Sequence, residues 1–455
     1  MLFPDTKGPR LKQFRRKTGR VGPQHRRLSA GRLSTTSVAR SSFTDHRSFL
    51  ISEAQALLSR LGQVQPFALM VPMVEAASLS RPARRGIQYL LSEGVQEMEA
   101  KVRDFMKLLQ VDKRIGAADA QKAYTLLKLQ FNWLLDSLDI FADVLSLRSE
   151  HHTGTWLAGM DVLAEDTLLL KGSYFKAPPL VTYLDRGHGA AIRRARTRLP
   201  GGKSNPVAVI RVPRERMIST GIASSLVHEV GHQGASLLGL IPSMRKVIQE
   251  RVKMEPESAT LWNWFDRWIS EILSDFWSVA MIGIGSTTGL MNVVSVPSYF
   301  VFRLKPDDPH PPPWIRLRLS IAFGAVLFPD QQWERLRQLW DRLYPIKLAG
   351  PEKSRIFQHL DQLVPEFADL LVNHRPPSLK GKMLREVFPV EYRQPKRLRQ
   401  LYQQWVKNPR DMKRYRPSIV FAAIGQARAD QVISPRRENR HLRNMLTYWA
   451  LKRVL

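Results

Sequence analysis

The stretch SLVHEVGHQGA, Ser225 to Ala235, constrains this chain more than any other part of it. Two histidines, His228 and His232, stand four apart in a run whose one charged residue is Glu229. Four residues make slightly more than one helical turn, so on a helix both imidazoles leave the same face and can converge on one point. Glu229 then lies to the side of that face. The plain alternative is a helix that happens to carry two histidines. With 11 His and 19 Glu in 455 residues, shuffling this composition produces H-E-x-x-H somewhere with a probability of about one per cent.

Context strengthens the pattern. PPLVTYLD (Pro178 to Asp185) and PVAVIRVP (Pro206 to Pro213) are short, β-branched and bounded by proline and glycine, so they read as strands. RGHGAAIRRARTRLPGGKSN between them reads as a basic loop with at most a helical turn. Ser219 or Thr220 can cap the histidine helix, and Gly239 and Pro242 stop it. A further helix is expected from about Ser258 to Ile282, and a Pro-rich loop follows near residue 310.

The chain has no cysteine, so a metal could be held only by His, Asp or Glu. Histidines at i and i+4 suit tetrahedral zinc, and an intervening glutamate can take a proton from an activated water. A catalytic zinc site uses three protein ligands. Glu271-Ile-Leu-Ser-Asp275 offers two carboxylates on one helical face. Glu271 would complete the ligand set, and Asp275 would accept a hydrogen bond from the other nitrogen of a ligand histidine. Both could instead be surface acids. Against that, Trp268, Ile269, Ile272, Leu273, Phe276 and Trp277 surround them, and unpaired acids are costly to bury.

HEVGH followed by E-x-x-x-D resembles the gluzincin class of zinc metallopeptidases. The segment His310-Pro-Pro-Pro-Trp-Ile-Arg316 resembles the His-Pro...Arg segment of the CAAX prenyl endopeptidase and heat-shock membrane protease family. The resemblance covers about Val207 to Arg318. It implies zinc-dependent peptide-bond hydrolysis with zinc on His228, His232 and Glu271 and Glu229 as general base. It further implies that His310 hydrogen-bonds the tetrahedral oxyanion and that Arg316 supports the site electrostatically. Two departures stand out: Gly234 occupies a position that is commonly bulky, and the chain shows no convincing membrane span. For His310 a place in a rigid proline turn is the competing reading. PVAVIRVP would serve as the edge strand along which a peptide substrate lies.

The expected fold is α+β and predominantly helical, with a zincin-like core, a small sheet beside the histidine helix and an N-terminal helical region. The expected organisation is a disordered basic tail (1–50), a helical scaffold (51–175), a metallopeptidase core (176–375) and a basic helical region (376–455). Charge supports this division. Residues 1–50 hold 12 basic and 2 acidic residues and residues 380–455 hold 19 and 5, whereas the remainder has 39 and 33. The basic ends could contact nucleic acid or acidic surfaces, and Tyr392, Tyr402, Trp405 and Tyr415 could stack on bases. Leu398, Leu401 and Trp405 read equally as an amphipathic stripe facing a core. A polyanion- or nucleic-acid-binding protein with a structural or inactive zincin fold is therefore the alternative function.

Other features carry less. Val279 to Phe302 is apolar, but three glycines, Asn292 and Pro297 make it buried protein rather than a lipid-facing span. Without an apolar signal core or a span, the expected location is cytoplasmic, with delivery by a non-Sec route open. His151 and His152 are expected in a solvated loop, His188 near the cleft, and Trp262, Trp264 and Trp268 in the core or cleft wall. Nothing in the sequence addresses oligomeric state.

Overall fold

The computed structural model describes residues 45–63, 71–185, 190–213, 219–305 and 307–455; within them the side chains of 151, 222 and 223 are left aside. The tail expected over 1–50 falls outside these residues as far as 44, and so does His188. His46–Leu455 forms one compact unit. It is predominantly helical with a single small sheet among the described residues.

Three helices come first: α1 (His46–Gln63), α2 (Arg81–Val111) and α3 (Ala117–Ser146). In α2 the buried residues Ile87, Leu91, Gly94, Met98, Val102, Phe105 and Leu109 recur at three-and-four spacing, so one face is dry and the other solvated. Their far ends pack with α1 around Leu50, Leu57, Phe105 and Phe131. Their near ends cover one face of the sheet. A fourth helix, α4 (His151–Leu168), precedes the first strand.

The sheet has the order β1-β3-β2, with β1 (Leu180–Asp185) parallel to β3 (Ala208–Pro213) and β2 (Ala191–Arg193) antiparallel to it. Two sequence expectations are corrected here. The basic segment between the predicted strands contains a third strand, too short and too arginine-rich to show alternation. PVAVIRVP is then the central strand, not an edge. Its near-continuous burial follows, because Val207 and Val209 pack toward Leu90 and Phe141 while Ala208, Ile210 and Val212 pack toward the main core.

The main core is built by α5 (Thr220–Leu237), α6 (Leu240–Met254), α7 (Ala259–Ile282) and α8 (Ile284–Val294), with α5 packed on both α7 and α8. From Ile272 to Ile282 every residue of α7 is buried. Trp262 and Trp268 lie in this core, as expected, and Trp264 packs against it. After the short α9 (Ser298–Val301) come α10 (Pro313–Leu327), α11 (Gln332–Leu343), α12 (Pro351–Val372), the short α13 (Leu384–Val387), α14 (Pro395–Lys407), α15 (Pro417–Ala429) and α16 (Pro435–Val454). Leu398, Leu401, Tyr402 and Trp405 turn inward, so α14 presents the expected apolar stripe to the core. The terminal helix α16 packs on α4. No helix among the described residues is long and apolar enough to cross a membrane.

His151 and His152 are corrected as well. They begin α4 rather than sit in a loop, and the exposed His152 ring stacks on Trp156 one turn later.

Candidate metal centre

Helix α5 carries His228, Glu229 and His232, and its first turn is tied down from the far end of the chain. Glu438 of α16 accepts hydrogen bonds from the Thr220 amide (2.8 Å) and hydroxyl (2.5 Å). Lower down, Gln233 accepts from the Ala195 amide at 2.8 Å, which fixes the end of β2 against this helix.

Two glycines set how closely α5 approaches α7. A Cβ on Gly231 would lie 2.8 Å from Ser274 Cα, and one on Gly234 would fall within the Trp277 ring. The bulky group missing at 234 is thus supplied by Trp277. Its indole N–H donates to Thr167 O, which holds the ring over the glycine. This close approach brings Glu271 and Asp275 up to the histidines.

Glu271 Oε2 lies 3.3 Å from His228 Nε2, and Glu271 Oε1 lies 3.3 Å from His232 Nε2. The three candidate ligand atoms are all within 4.8 Å of one another. Zinc bound tetrahedrally at about 2.1 Å would separate its ligand atoms by about 3.4 Å; each imidazole stands near that distance from one of the two Glu271 oxygens, His228 from Oε2 and His232 from Oε1. The imidazoles stand edge to face at 87°, with centroids 4.9 Å apart. The side chains are between 12 and 16 % exposed, enough to open on a cavity while remaining largely dry.

Asp275 accepts from His228 Nδ1 at 2.7 Å, leaving Nε2 as the nitrogen directed at Glu271. Arg316, in the first turn of α10, clamps the same carboxylate: Nε donates to Oδ2 at 2.6 Å and Nη2 to Oδ1 at 3.0 Å. Its Nη2 also lies 3.5 Å from Glu271 Oε2. Arg316 therefore reaches the centre chiefly through Asp275. Ser270 Oγ sits 3.3 Å from His232 Nδ1.

The charges follow from this packing. Burial lowers the proton affinity of His228, but the Asp275 carboxylate, its hydrogen bond and Glu271 outweigh it and push the imidazole up to about 9. Burial would raise Glu271 and Asp275. The histidines beside Glu271, and Arg316 with His228 beside Asp275, instead hold both carboxyls below their ordinary range. Glu229, 7 % exposed, goes the other way: burial raises it, and the neighbouring histidines only partly oppose this. A buried carboxylate with increased proton affinity beside the two imidazoles is suited to accept and return a proton.

His310 lies at the mouth of the centre with its side chain 54 % exposed. Its Nδ1 faces Asp308 at 3.0 Å, and its Nε2 is 3.7 Å from Glu271 Oε2. With Nδ1–H given to Asp308, donation from Nε2 requires the imidazolium form. His310 and the centre border a cleft of about 550 Å³, which Ala191, Ile192 and Arg194 of the β2 region and Ser224, Ser278 and Ser286 also line.

Every residue singled out from the sequence, His228, Glu229, His232, Glu271, Asp275, His310 and Arg316, borders this one cleft. The sequence gives no task to Glu438, Gln233 or Ser270, and marks Trp277 only as apolar surroundings. Glu438 is 218 positions from the amide it caps and carries no local signal. Gln233 adjoins the motif, but only the paired strand gives it a task. Comparison of the chain with family models, with curated proteins and with solved structures finds no match.

Proposed function

We propose that this protein is a zinc-dependent peptide hydrolase of gluzincin type, built on a zincin-like core. The observation that carries the reading is the meeting of His228, His232 and the Glu271 carboxylate, with one ligand atom from each within 4.8 Å of the others and Glu229 buried beside them. A zinc ion held by these three side chains would supply a Lewis acid that polarises a carbonyl and acidifies water.

The residues of the chain supply the rest. Glu229 takes a proton on its carboxylate and returns it to the departing amine; burial raises its affinity for that proton. Asp275, clamped by Arg316, keeps His228 Nε2 turned inward. His310 stands at the cleft mouth with Nε2 toward Glu271, where it would hydrogen-bond the tetrahedral oxyanion. An extended peptide would pair with the edge of β2 that no described strand occupies, beside the cleft, rather than with β3.

The test is zinc content and peptide hydrolysis measured on the same preparations. Wild type should bind one zinc and cleave a mixed peptide pool. Glu229→Gln should keep the metal and lose about 10³-fold or more in rate. His232→Ala and Glu271→Ala should lose the metal as well. Undiminished zinc in Glu271→Ala would move the third ligand elsewhere. If wild type cleaves no peptide and instead binds polyanions with steep salt dependence, the alternative of a nucleic-acid- or polyanion-binding protein takes precedence.

A further inference from the structure

We infer that the peptide accepted by this cleft is acidic, with carboxylates at alternate positions that reach an arginine groove behind β2. The inference rests on the hydrolase reading above and adds the substrate class.

The strand β2 divides two cavities. On its α5 side, Ile192 packs toward the main core and the metal centre. Across the sheet lies a groove of about 640 Å³ bordered by Arg193, Arg194, Arg198 and Arg211 together with Tyr183 and Asp143. The register explains the division: Ala191 pairs with Arg211, Arg193 with Val209, and Arg211 with Tyr183, so these residues share the face turned away from the metal. Ala191, Ile192 and Arg194 border both cavities, so the two spaces lie on either side of the same short strand.

The charge of this groove is not balanced from within. Arg211 Nη1 stands 3.5 Å from Asp185, and its Nε is buried without a hydrogen-bond acceptor. Among the described residues no carboxylate pairs with Arg193, Arg194 or Arg198. Among the described residues that border the groove, four guanidinium groups meet one carboxylate, Asp143, and Asp185 stands beside Arg211. Such an excess in a concave site draws and orients anions, and arginine pairs with carboxylates through two parallel hydrogen bonds.

A peptide added to the edge of β2 would point successive side chains to opposite faces of the sheet. Residues facing α5 would enter the metal cleft; their neighbours would face the arginines. Carboxylates at those alternate positions complete the unpaired groups. A nucleic acid could satisfy the charge, but it has no backbone amides to pair with the edge of the strand that lies between the two cavities.

The test uses full-length, zinc-loaded protein and two peptide pools with randomised neutral residues, one with Glu at alternate positions and one with Gln. On the Glu229→Gln variant, anisotropy should show the Glu pool binding about tenfold more tightly, and this margin should shrink in 0.5 M salt. Arg193→Glu with Arg198→Glu, both at exposed positions, should transfer the preference to a Lys pool while zinc content stays unchanged. Equal binding of the Glu and Gln pools overturns the inference, and equal cleavage of both by wild type does so while leaving the hydrolase reading intact. Selective binding of the Glu pool without any cleavage upholds the acidic groove and overturns hydrolysis. A single-stranded oligonucleotide that displaces the Glu pool at lower concentration than the unlabelled pool itself also overturns the inference.

Discussion

Two buried Arg–Asp pairs in this molecule look alike and do different things. Arg148 and Asp161 are fully buried, 3.1 Å apart. Asp161 Oδ1 also accepts from the Thr182 amide and hydroxyl at 2.8 Å each, and Arg148 donates to Thr182 O at 2.6 Å. This pair bolts α4 and the segment after α3 to β1, with Arg453 of α16 3.5 Å from the same aspartate. Arg316 and Asp275 form an equally tight pair, but Asp275 spends its remaining capacity on His228, whose other nitrogen faces Glu271 across the cleft. A buried ion pair by itself marks structure. It marks chemistry when the chain of bonds ends at donor atoms that converge on open space.

The comparison can be broken most sharply at Asp161. Asp161→Ala leaves Arg148 buried without its anion and should cost about 3–5 kcal/mol in denaturant unfolding, with zinc content of the folded protein unchanged. Loss of zinc at full stability would place Asp161 with the metal centre instead.

Next comes Glu165, on the same helix as Asp161. Burial pushes its carboxyl up to about 7, with Arg453 opposing and Asp161 reinforcing the rise. A carboxyl that holds its proton more tightly folded than unfolded makes stability fall as pH rises, here from about 4.5 to about 7, and the full cost remains above that range. Glu165→Gln should flatten this slope and stabilise the protein at pH 8 by up to about 3 kcal/mol. An unchanged difference in unfolding free energy between pH 5 and pH 8 would contradict it.

On the other side, Asp275→Asn keeps the shape and removes the charge. Zinc affinity should drop about 10–100-fold in a chelator competition assay. If only thermal stability changes, Asp275 is a bolt like Asp161. A comparable effect is expected at Gly234→Ala, where the added methyl must displace Trp277 at about 1–3 kcal/mol. A shifted tryptophan emission with weakened zinc binding would tie helix spacing to the ligand geometry; a neutral substitution would separate them.

Much of the centre was legible in the chain because its parts lie on single helices. The i,i+4 spacing of His228 and His232, and of Glu271 and Asp275, dictates which side chains share a face whatever the helices pack against. The apolar surroundings of Glu271 and Asp275 signalled that these acids need partners. The strands were harder. β3 was recognised as a strand but misplaced as an edge, since a run such as AVIRVP is equally apolar in both situations and its neighbours are decided by pairing. β2, three residues among arginines, had no periodicity to detect. The unpaired arginines behind it became a groove only when the register put Arg193 and Arg211 on one face.

Local periodicity and residue chemistry in the sequence thus determined the helices, the donor atoms available to a metal, and which of them could act together from one helix. Tertiary structure alone decided that α5 and α7 lie close enough for 3.3 Å approaches. It also decided that Arg316 acts through Asp275, and that Glu438, near the end of the chain, anchors the histidine helix. The reason is physical. A helix carries its spacing in three or four consecutive residues, but the distance between two helices is set by what fills the gap, here two glycines and one tryptophan ring contributed by separate segments.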